Sequence, residues 1–500
     1  MTEWGWSTRA LKVRRGASPP LALLAMSLLA FPSAAAGQSV RGWVGTTVQA
    51  VELRPLGIDT IPRSMVASTA DGFVFEGRYV SCPSSQICTD YVALDKDHLV
   101  AATQDLSLTA WGFGVEGLSF TTLLRTRAHA GGDLVWPRSG DAFDAILGYA
   151  QLVRGPLQLR AGRQDLRTGL GFAGFDGAHA TYTWARVQME AYVGRSLARG
   201  LREPANEALR ALDDFFFDES VVLYGAAART RLNATTLTAR YHREILTDWS
   251  SLVGERASLD FNTILPDLRI TGSLDYDFSF QRFGKGHVTF GKPAADGHVL
   301  LEATARRYVP YFQLNTIWGF FEPVSYSEIE MRAGWSPRST VGLWASGGWR
   351  DYGKPDPDGV LFPSLRDHGW RANAGARWQP KEDWTLDGTY RLEWSPGGSL
   401  NSGDVAVRYQ PTDRFGVSAS ATTFEQIEEF RIGEGRAYGG GLSFDAQVLD
   451  RLSFAGGVSV LRHTDGDSAF TSPWDQTRGW TSLRISIGED PGMANRRNRR

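Results

Sequence analysis

Residues 269–280 read Arg-Ile-Thr-Gly-Ser-Leu-Asp-Tyr-Asp-Phe-Ser-Phe, and apolar and polar side chains alternate along this stretch. In an extended chain one side carries Ile270, Leu274, Tyr276, Phe278 and Phe280, and the other side carries Thr271, Ser273, Asp275, Asp277 and Ser279. A period of two is typical of a β-strand that has one apolar face and one wet face.

The same alternation recurs from Gly42 to Gly488 in segments of about ten residues. It is clearest in residues 328–335, 384–394 and 483–487. Short turns and longer polar connections alternate between the segments. This alternation is expected when short turns face the periplasm and long loops face the outside. The pattern predicts an all-β fold, a transmembrane antiparallel up-and-down β-barrel.

The alternation of turns also constrains the number of strands. If the first strand is 42–53 and the last is 478–488, keeping every short turn periplasmic requires a brief strand near 286–292. The prediction is then about 22 strands, an even number, within a range of roughly 18 to 22.

The longer connections include 54–97, 169–176 and 197–219, and of these 54–97 and 197–219 are the ones that could plug the pore. The last of them has apolar residues at helical spacing after Pro204, which predicts a short helix. That helix either folds into the pore or caps the rim.

Composition supports a folded barrel and excludes several other classes of protein. The 500 residues are 42% hydrophobic and 22% charged, which predicts a folded chain, and the net charge of -2 gives no sign of nucleic-acid binding. No apolar run is long enough to cross a bilayer as a helix, which excludes a polytopic helical membrane protein. The 55 glycines and the 12% aromatic content are typical of closed barrels with aromatic girdles.

The N-terminal residues predict export. Residues 1–36 have the basic start, the short apolar core and the Ala34-Ala35-Ala36 cleavage site of a signal peptide. Residues 37–488 would then form the barrel in a bacterial outer membrane, and 489–500 a polar tail. Cys82 and Cys88 enclose five residues, and in an exported protein this spacing predicts a disulfide.

If the apolar side chains face lipid, the charged ones face the lumen, because charges in contact with lipid are costly. The pore-lining residues predicted on this ground are Arg160, Arg240, Asp260, Asp275, Asp277, Glu302, Arg306, Glu330, Arg332, Arg377, Asp387, Arg391, Glu393 and Arg408. Arginine far outnumbers lysine, and its planar group suits carboxylates and phosphates. Ordinary ion pairs of a barrel wall are the alternative explanation.

One stretch has the pattern of a known family: Gly162-Arg163-Gln164, then Gly169-Leu170-Gly171, then Phe175-Asp176-Gly177. Residues 157–178 as a whole resemble a strand–loop–strand stretch of alginate-export-type outer-membrane barrels. The resemblance implies a monomeric passive channel with an arginine-lined pore for an anionic polysaccharide or another small solute. It also implies that Arg160 and Arg163 line the pore.

Signals of an enzyme are few. The eight histidines form no H-E-x-x-H motif, and G-x-S-x-G is absent. Gly466-Asp467-Ser468 lies in a predicted loop. Asp275 and Asp277 either bind a cation, share a proton or are solvated in the lumen. We therefore predict no catalytic residues, no metal and no cofactor.

Taken together, these features predict a porin-like outer-membrane channel for the passive passage of small or anionic solutes, with carbohydrate or polysaccharide export as one form of that transport. The expected partners are outer-membrane lipid, the solute and the barrel-assembly machinery, with no nucleic acid. A gated receptor-transporter, or a barrel enzyme or adhesin with an occluded pore, are the alternatives.

Overall fold

The computed structural model describes most of the chain between residues 39 and 488. The described residues are 39–53, 56–69, 72–75, 78–82, 86–93, 96–131, 142–197, 220–247, 251–309, 325–353, 367–395, 398–429, 435–465 and 474–488. The predicted signal peptide, the polar tail and the predicted helix of 197–219 lie outside them.

Nearly all described residues are in β-strands. In chain order these are β1 Ser39–Leu53, β2 Leu56–Pro62, β3 Ala67–Thr69, β4 Gly72–Phe75, β5 Arg78–Val80, β6 Ile87–Ala93, β7 Asp97–Trp111, β8 Leu118–Gly131, β9 Phe143–Arg154, β10 Leu157–Thr168, β11 Gly171–Trp184, β12 Val187–Ser196, β13 Val221–Leu232 and β14 Thr235–Leu246. They continue with β15 Leu252–Leu265, β16 Leu268–Asp277, β17 Arg282–Ala294, β18 Val299–Tyr308, β19 Tyr326–Arg338, β20 Val341–Asp351, β21 His368–Lys381, β22 Trp384–Ser395, β23 Gly398–Thr412, β24 Phe415–Glu429, β25 Gly435–Leu449, β26 Leu452–Asp465 and β27 Trp474–Ile487. Short 3-10 turns occupy Arg63–Met65 and Ala295–Gly297.

β1 and β7 to β27 form one 22-stranded antiparallel sheet that closes on itself, because β1 pairs with both β7 and β27. The predicted barrel and its strand number are confirmed. The strand required near 286–292 exists as β17, and it is longer than predicted. Among the described residues the barrel sheet closes without a terminal strand, and this satisfies the backbone within a bilayer.

Burial follows the predicted alternation. On β19, Ile329 and Met331 are 65% and 64% exposed, whereas Glu328, directly before Ile329 on the same strand, is only 2% exposed. On β16, Leu274 is 44% exposed and Asp275 only 6%. Apolar side chains are thus turned outward and charged ones inward, the reverse of a water-soluble protein, because lipid surrounds the barrel.

The connection expected at 169–176 differs from the prediction. β10 and β11 are joined by a tight turn at Gly169-Leu170, and they pair with each other along their whole length. Their tip, however, leaves the barrel wall. β10 pairs with β9 only as far as Arg163, and β11 pairs with β12 only from Phe175 onward.

A small separate unit lies between β1 and β7, at the outer end of the barrel. β2 pairs with β6, and β3, β4 and β5 form a second sheet. Ile61, Val66, Val80 and Cys88 make a buried cluster of their own, and Cys82 and Cys88 form a disulfide with an S–S distance of 2.00 Å.

Lys96 ties the base of this unit to the barrel rim. Its Nζ lies 3.4 Å from an oxygen of Glu52 and 2.5 Å from one of Asp475. Hydrogen bonding to Asp475, reinforced by the nearby negative charges, raises the pKa of the Lys96 ammonium group. Lys96 therefore stays charged and links the outer ends of β1 and β27.

Within the described residues, no helix is long and apolar enough to cross a bilayer.

Candidate functional site

The inner face of the wall can be followed from strand to strand, because directly opposite residues of antiparallel strands share a face. Arg160 lies opposite His179, which lies opposite Tyr192, and the row continues to Arg256 and Asp277. A second row runs from Ser273 through Arg306 and Glu328 to Arg350. By register and by spacing of two, every residue predicted to line the pore lies on this face except Arg163.

Arg163 is three residues after Arg160, so its side chain lies on the opposite face of β10. It donates from Nε and Nη2 to the two carboxylate oxygens of Asp176, both at 2.7 Å. Its Nη1 also donates to the main-chain oxygen of Ala145 on β9, at 3.0 Å. Arg163 thus holds the base of the hairpin where β10 leaves β9, and this corrects the expectation that it shares the pore face of Arg160.

Two glycines let the chain bend at this point. Gly162 and Gly177 lie opposite each other on β10 and β11. Gly162 has a φ of +122°, and a Cβ atom there would lie 2.3 Å from the oxygen of Gly148. A Cβ atom on Gly177 would lie 2.1 Å from the oxygen of Val193. Only glycine fits such close approach of neighbouring backbones.

Beyond this bend the hairpin folds over the inner wall. Phe175 is fully buried against Tyr192 and Leu223, and Leu166 and Ala173 of the hairpin pack on the same cluster. The turn reaches β15, where Arg256 Nη2 donates to the oxygen of Leu170 at 2.6 Å. Gly169 lies against the carboxylate of Asp260, close enough that a Cβ atom would be 2.8 Å from Oδ1. The β10–β11 hairpin therefore narrows the lumen from one side.

Below the hairpin, the inner wall carries a hydrogen-bonded cluster. Arg240 Nη1 donates to Glu190 at 2.7 Å, and His179 Nε2 lies 3.6 Å from the same carboxylate. The Tyr192 hydroxyl lies 2.9 Å from Nδ1 of His242. Buried charges need such partners, and here the partners come from different strands.

A second network lies near the outer mouth, at the ends of β18 to β22. The carboxylate of Glu328 is fully buried, and Arg306, Arg350 and Arg371 surround it with nitrogens at 3.5, 3.5 and 2.5 Å. Neither carboxylate oxygen receives a well-aligned hydrogen bond from the described residues. Attraction between charges thus holds this group more than directed hydrogen bonds do.

Two further carboxylates complete the mouth network. Glu330 lies 3.3 Å from Arg306 and 2.5 Å from Arg371, and Glu393 lies 2.5 Å from Arg350. The six groups alternate in sign, so they neutralise one another across the five strands β18 to β22. The alternative explanation for the inward charges, ordinary ion pairs of a barrel wall, agrees with this part of the lumen.

Nearer the periplasm the charges are more exposed and more loosely paired. Arg332 lies 3.8 Å from Glu302, and Arg377 lies 3.8 Å from Asp387. Arg408 lies 2.8 Å from Asp445. Exposed pairs of this kind are weak in water, so these side chains can exchange their present partners for others. Arg391 lies on the same inner face.

Several residues that form contacts on the inner wall were not predicted. Glu190, Tyr192, His242 and Glu244 follow the period-two pattern and could have been found by extending it. Phe175 breaks that pattern, because it is apolar and yet points inward. Only the folded hairpin explains its burial.

The described residues contain no cluster of three or more His, Cys, Asp or Glu side chains suited to a metal ion.

Comparison with known proteins shows similarity in fold to solved structures. The sequence matches no family model and no curated protein. Among solved structures, a mutant ferric enterobactin receptor, PfeA of Pseudomonas aeruginosa in complex with enterobactin, aligns with a TM-score of 0.53 and 11% identity over 91% of this chain and 82% of that one.

Two porin structures align less well. A BenF-like porin from Pseudomonas fluorescens Pf-5 has a TM-score of 0.41 and 10% identity over 90% of this chain and 99% of that one. OccAB1 of Acinetobacter baumannii has a TM-score of 0.38 and 10% identity over 90% and 96% of the two chains. Of the three, the receptor alone exceeds 0.5, and at such identity it shows the barrel fold. A closed transmembrane β-barrel of this kind is typical of the bacterial outer membrane.

Proposed function

We propose that the chain is a porin-like outer-membrane channel through which small or anionic solutes pass passively. The observation that supports this is the division of the wall, with exposed apolar side chains outside and charged networks inside a closed 22-stranded barrel. A barrel of this size encloses a lumen wide enough for water and solutes unless it is plugged. The hairpin tip narrows that lumen from one side.

Selection would come from the field of the inner wall. Rings and rows of charged side chains determine which ions and solutes enter a pore. The loosely paired arginines, such as Arg377 and Arg408, can exchange a wall carboxylate for that of a solute, since exposed ion pairs are weak. Anionic carbohydrates, including the polysaccharide export suggested by residues 157–178, are therefore the first solutes to test.

The test is single-channel conductance of the refolded protein in a planar bilayer, with anion/cation selectivity and block by uronate oligomers. Steady openings with anion preference are expected. Arg160→Ala and Arg391→Ala should each reduce that preference, because both side chains lie on the inner face. Arg243→Ala is the matched control, because Arg243 lies on the outward face beside Glu255. A folded barrel that never opens would contradict the proposal.

A gated receptor-transporter is the second candidate. It is favoured by the 22 strands and by the alignment with the enterobactin receptor at a TM-score of 0.53. Such a protein would be closed in the bilayer experiment and would bind its solute tightly from the outside. Bilayer recordings therefore distinguish the two functions: the passive channel conducts and the gated receptor-transporter does not.

A further inference from the structure

A cavity of about 780 Å³ lies between the turn of the β10–β11 hairpin and the inner wall of β15 to β18. Gly169 bounds it on the hairpin side. Its polar wall carries Asp260, Asp275, Lys285, His287 and Arg306. The volume is in the range of pockets that hold small molecules.

The charges in this cavity are separated by sign. Both carboxylates are on β15 and β16, and the cationic side chains are on β17 and β18. A simple anion would meet the two aspartates and a simple cation would meet the lysine and the arginine, so each is repelled by part of the wall. A solute with a positive and a negative end satisfies both sides.

The acidic side has unused acceptors. Asp275 is 6% exposed, and its Oδ1 has no hydrogen-bond partner among the described residues. The hydroxyl of Ser258, 7% exposed, also lines the cavity and lacks a partner in that part of the chain. A buried polar group without a partner is costly. These groups point to a ligand that donates hydrogen bonds, as an ammonium group does.

The basic side is available as well. Arg306 is already engaged by Glu328 and Glu330. The Lys285 ammonium makes no ion pair with the described residues, and it lies 5.6 Å from the centre of the Tyr308 ring. His287, whose Nδ1 lies 2.9 Å from the Ser273 hydroxyl, is exposed beside it. Lys285 and His287 are thus the groups that a carboxylate would meet.

We infer that this cavity is a binding site for a small zwitterion, an amino acid or a short peptide. Its ammonium group is held by Asp260 and Asp275, and its carboxylate by Lys285 and His287. The inference rests on the proposed channel function and deepens it, because solutes that cross the narrowed lumen would pause at this site.

The experiment measures equilibrium binding to the refolded full chain in detergent by titration calorimetry. Three probes separate the two charges: triglycine, N-acetyltriglycine without the ammonium group, and triglycine amide without the carboxylate. Triglycine should bind about tenfold more tightly than either of the others, the factor that one charge-assisted hydrogen bond of ~1.4 kcal/mol gives.

Two variants assign the ends. Asp260→Asn should weaken the binding of triglycine about tenfold and leave the binding of N-acetyltriglycine unchanged. Lys285→Gln should also weaken the binding of triglycine about tenfold, and it should leave the binding of triglycine amide unchanged. Asp404→Asn is the matched control, because Asp404 is an inner-wall carboxylate on β23 bonded to Thr422. Heat-modifiable migration in gels verifies that each variant has folded.

Equal binding of the three probes, no binding of triglycine, or an equal loss in Asp404→Asn would overturn the inference. Conductance of the same preparations separates this from the proposed function. A conducting barrel that does not bind triglycine refutes the site and keeps the channel. A silent barrel that binds it refutes the passive channel and keeps the site.

Discussion

Arg256 on β15 donates a hydrogen bond of 2.6 Å to the main-chain oxygen of Leu170, in the turn between β10 and β11. The two residues are 86 positions apart, and the three wall strands β12, β13 and β14 lie between the hairpin and β15. This bond joins the tip of the folded hairpin to the inner wall at β15. The hairpin is thus fixed at both ends, by Arg163 at its base and by Arg256 at its tip.

Removing the tip contact should widen the lumen. In Arg256→Ala the hairpin loses a charge-assisted hydrogen bond worth about 1.5–3 kcal/mol. The expected result is a larger or more fluctuating single-channel conductance in a barrel of unchanged fold. Arg229→Ala is the control, since Arg229 lies on the inner face of β13 well away from the turn. Identical conductance of the two variants would show that the tip does not restrict the pore.

A methyl group at the bend should disturb the hairpin. Gly162→Ala combines a φ of +122° with a Cβ atom 2.3 Å from the Gly148 oxygen, and strain of this kind costs about 1–3 kcal/mol. Lower thermal stability and altered conductance are expected. Gly148→Ala, on the facing strand, is the matched control, because a Cβ atom there meets nothing within 4 Å. If the control is affected as strongly, the bend is not the cause.

Loss of the buried carboxylate at the mouth should be more damaging than loss of an exposed one. Glu328→Gln leaves three guanidinium groups without their shared partner, and breaking a buried pair in this way costs about 3–5 kcal/mol in a dry interior and less beside a wet lumen. Glu302→Gln removes a half-exposed partner of Arg332, which is worth about 0–1 kcal/mol. Urea unfolding of both variants tests the difference.

The same substitution has an electrical consequence. Glu328→Gln adds one net positive charge near the outer mouth, so anion selectivity should rise in bilayer recordings. Unchanged selectivity would mean that the permeating solute does not sense this network.

Removal of the disulfide should destabilise only the small unit between β1 and β7. Replacing Cys82 and Cys88 by serine opens a small loop, which costs about 2 kcal/mol in the chain-entropy description. Because the unit has its own buried cluster, hydrogen exchange should increase in residues 56–93 while the barrel keeps its thermal transition. A matching loss in the barrel strands would show that the unit supports the wall.

The wall was predictable because its rules are local. Residues 328–335 alternate in sequence, and the structure turns Ile329 outward and Glu328 inward as that alternation requires. The strand β17 could be placed from the parity of the turns alone. The hairpin was not predictable in this way, since the alternation around Leu166 is the same whether the segment stays in the wall or leaves it.

The candidate site was predictable only in part. Asp260, Asp275 and Arg306 could be assigned to the lumen from their spacing, but nothing in the sequence brings Gly169 over them. Arg163 was placed with Arg160 by resemblance, although three positions along a strand put the two side chains on opposite faces.

The sequence by itself determined the barrel, its strand number and the facing of nearly every charge. Lipid on one side and water on the other impose these features strand by strand, so each segment carries its own signal. Tertiary structure alone decided where the hairpin goes and which charges meet, as in the pair Arg240 and Glu190, 50 positions apart. Such contacts depend on the register between strands and on the bend at Gly162, which are settled only when the whole sheet closes.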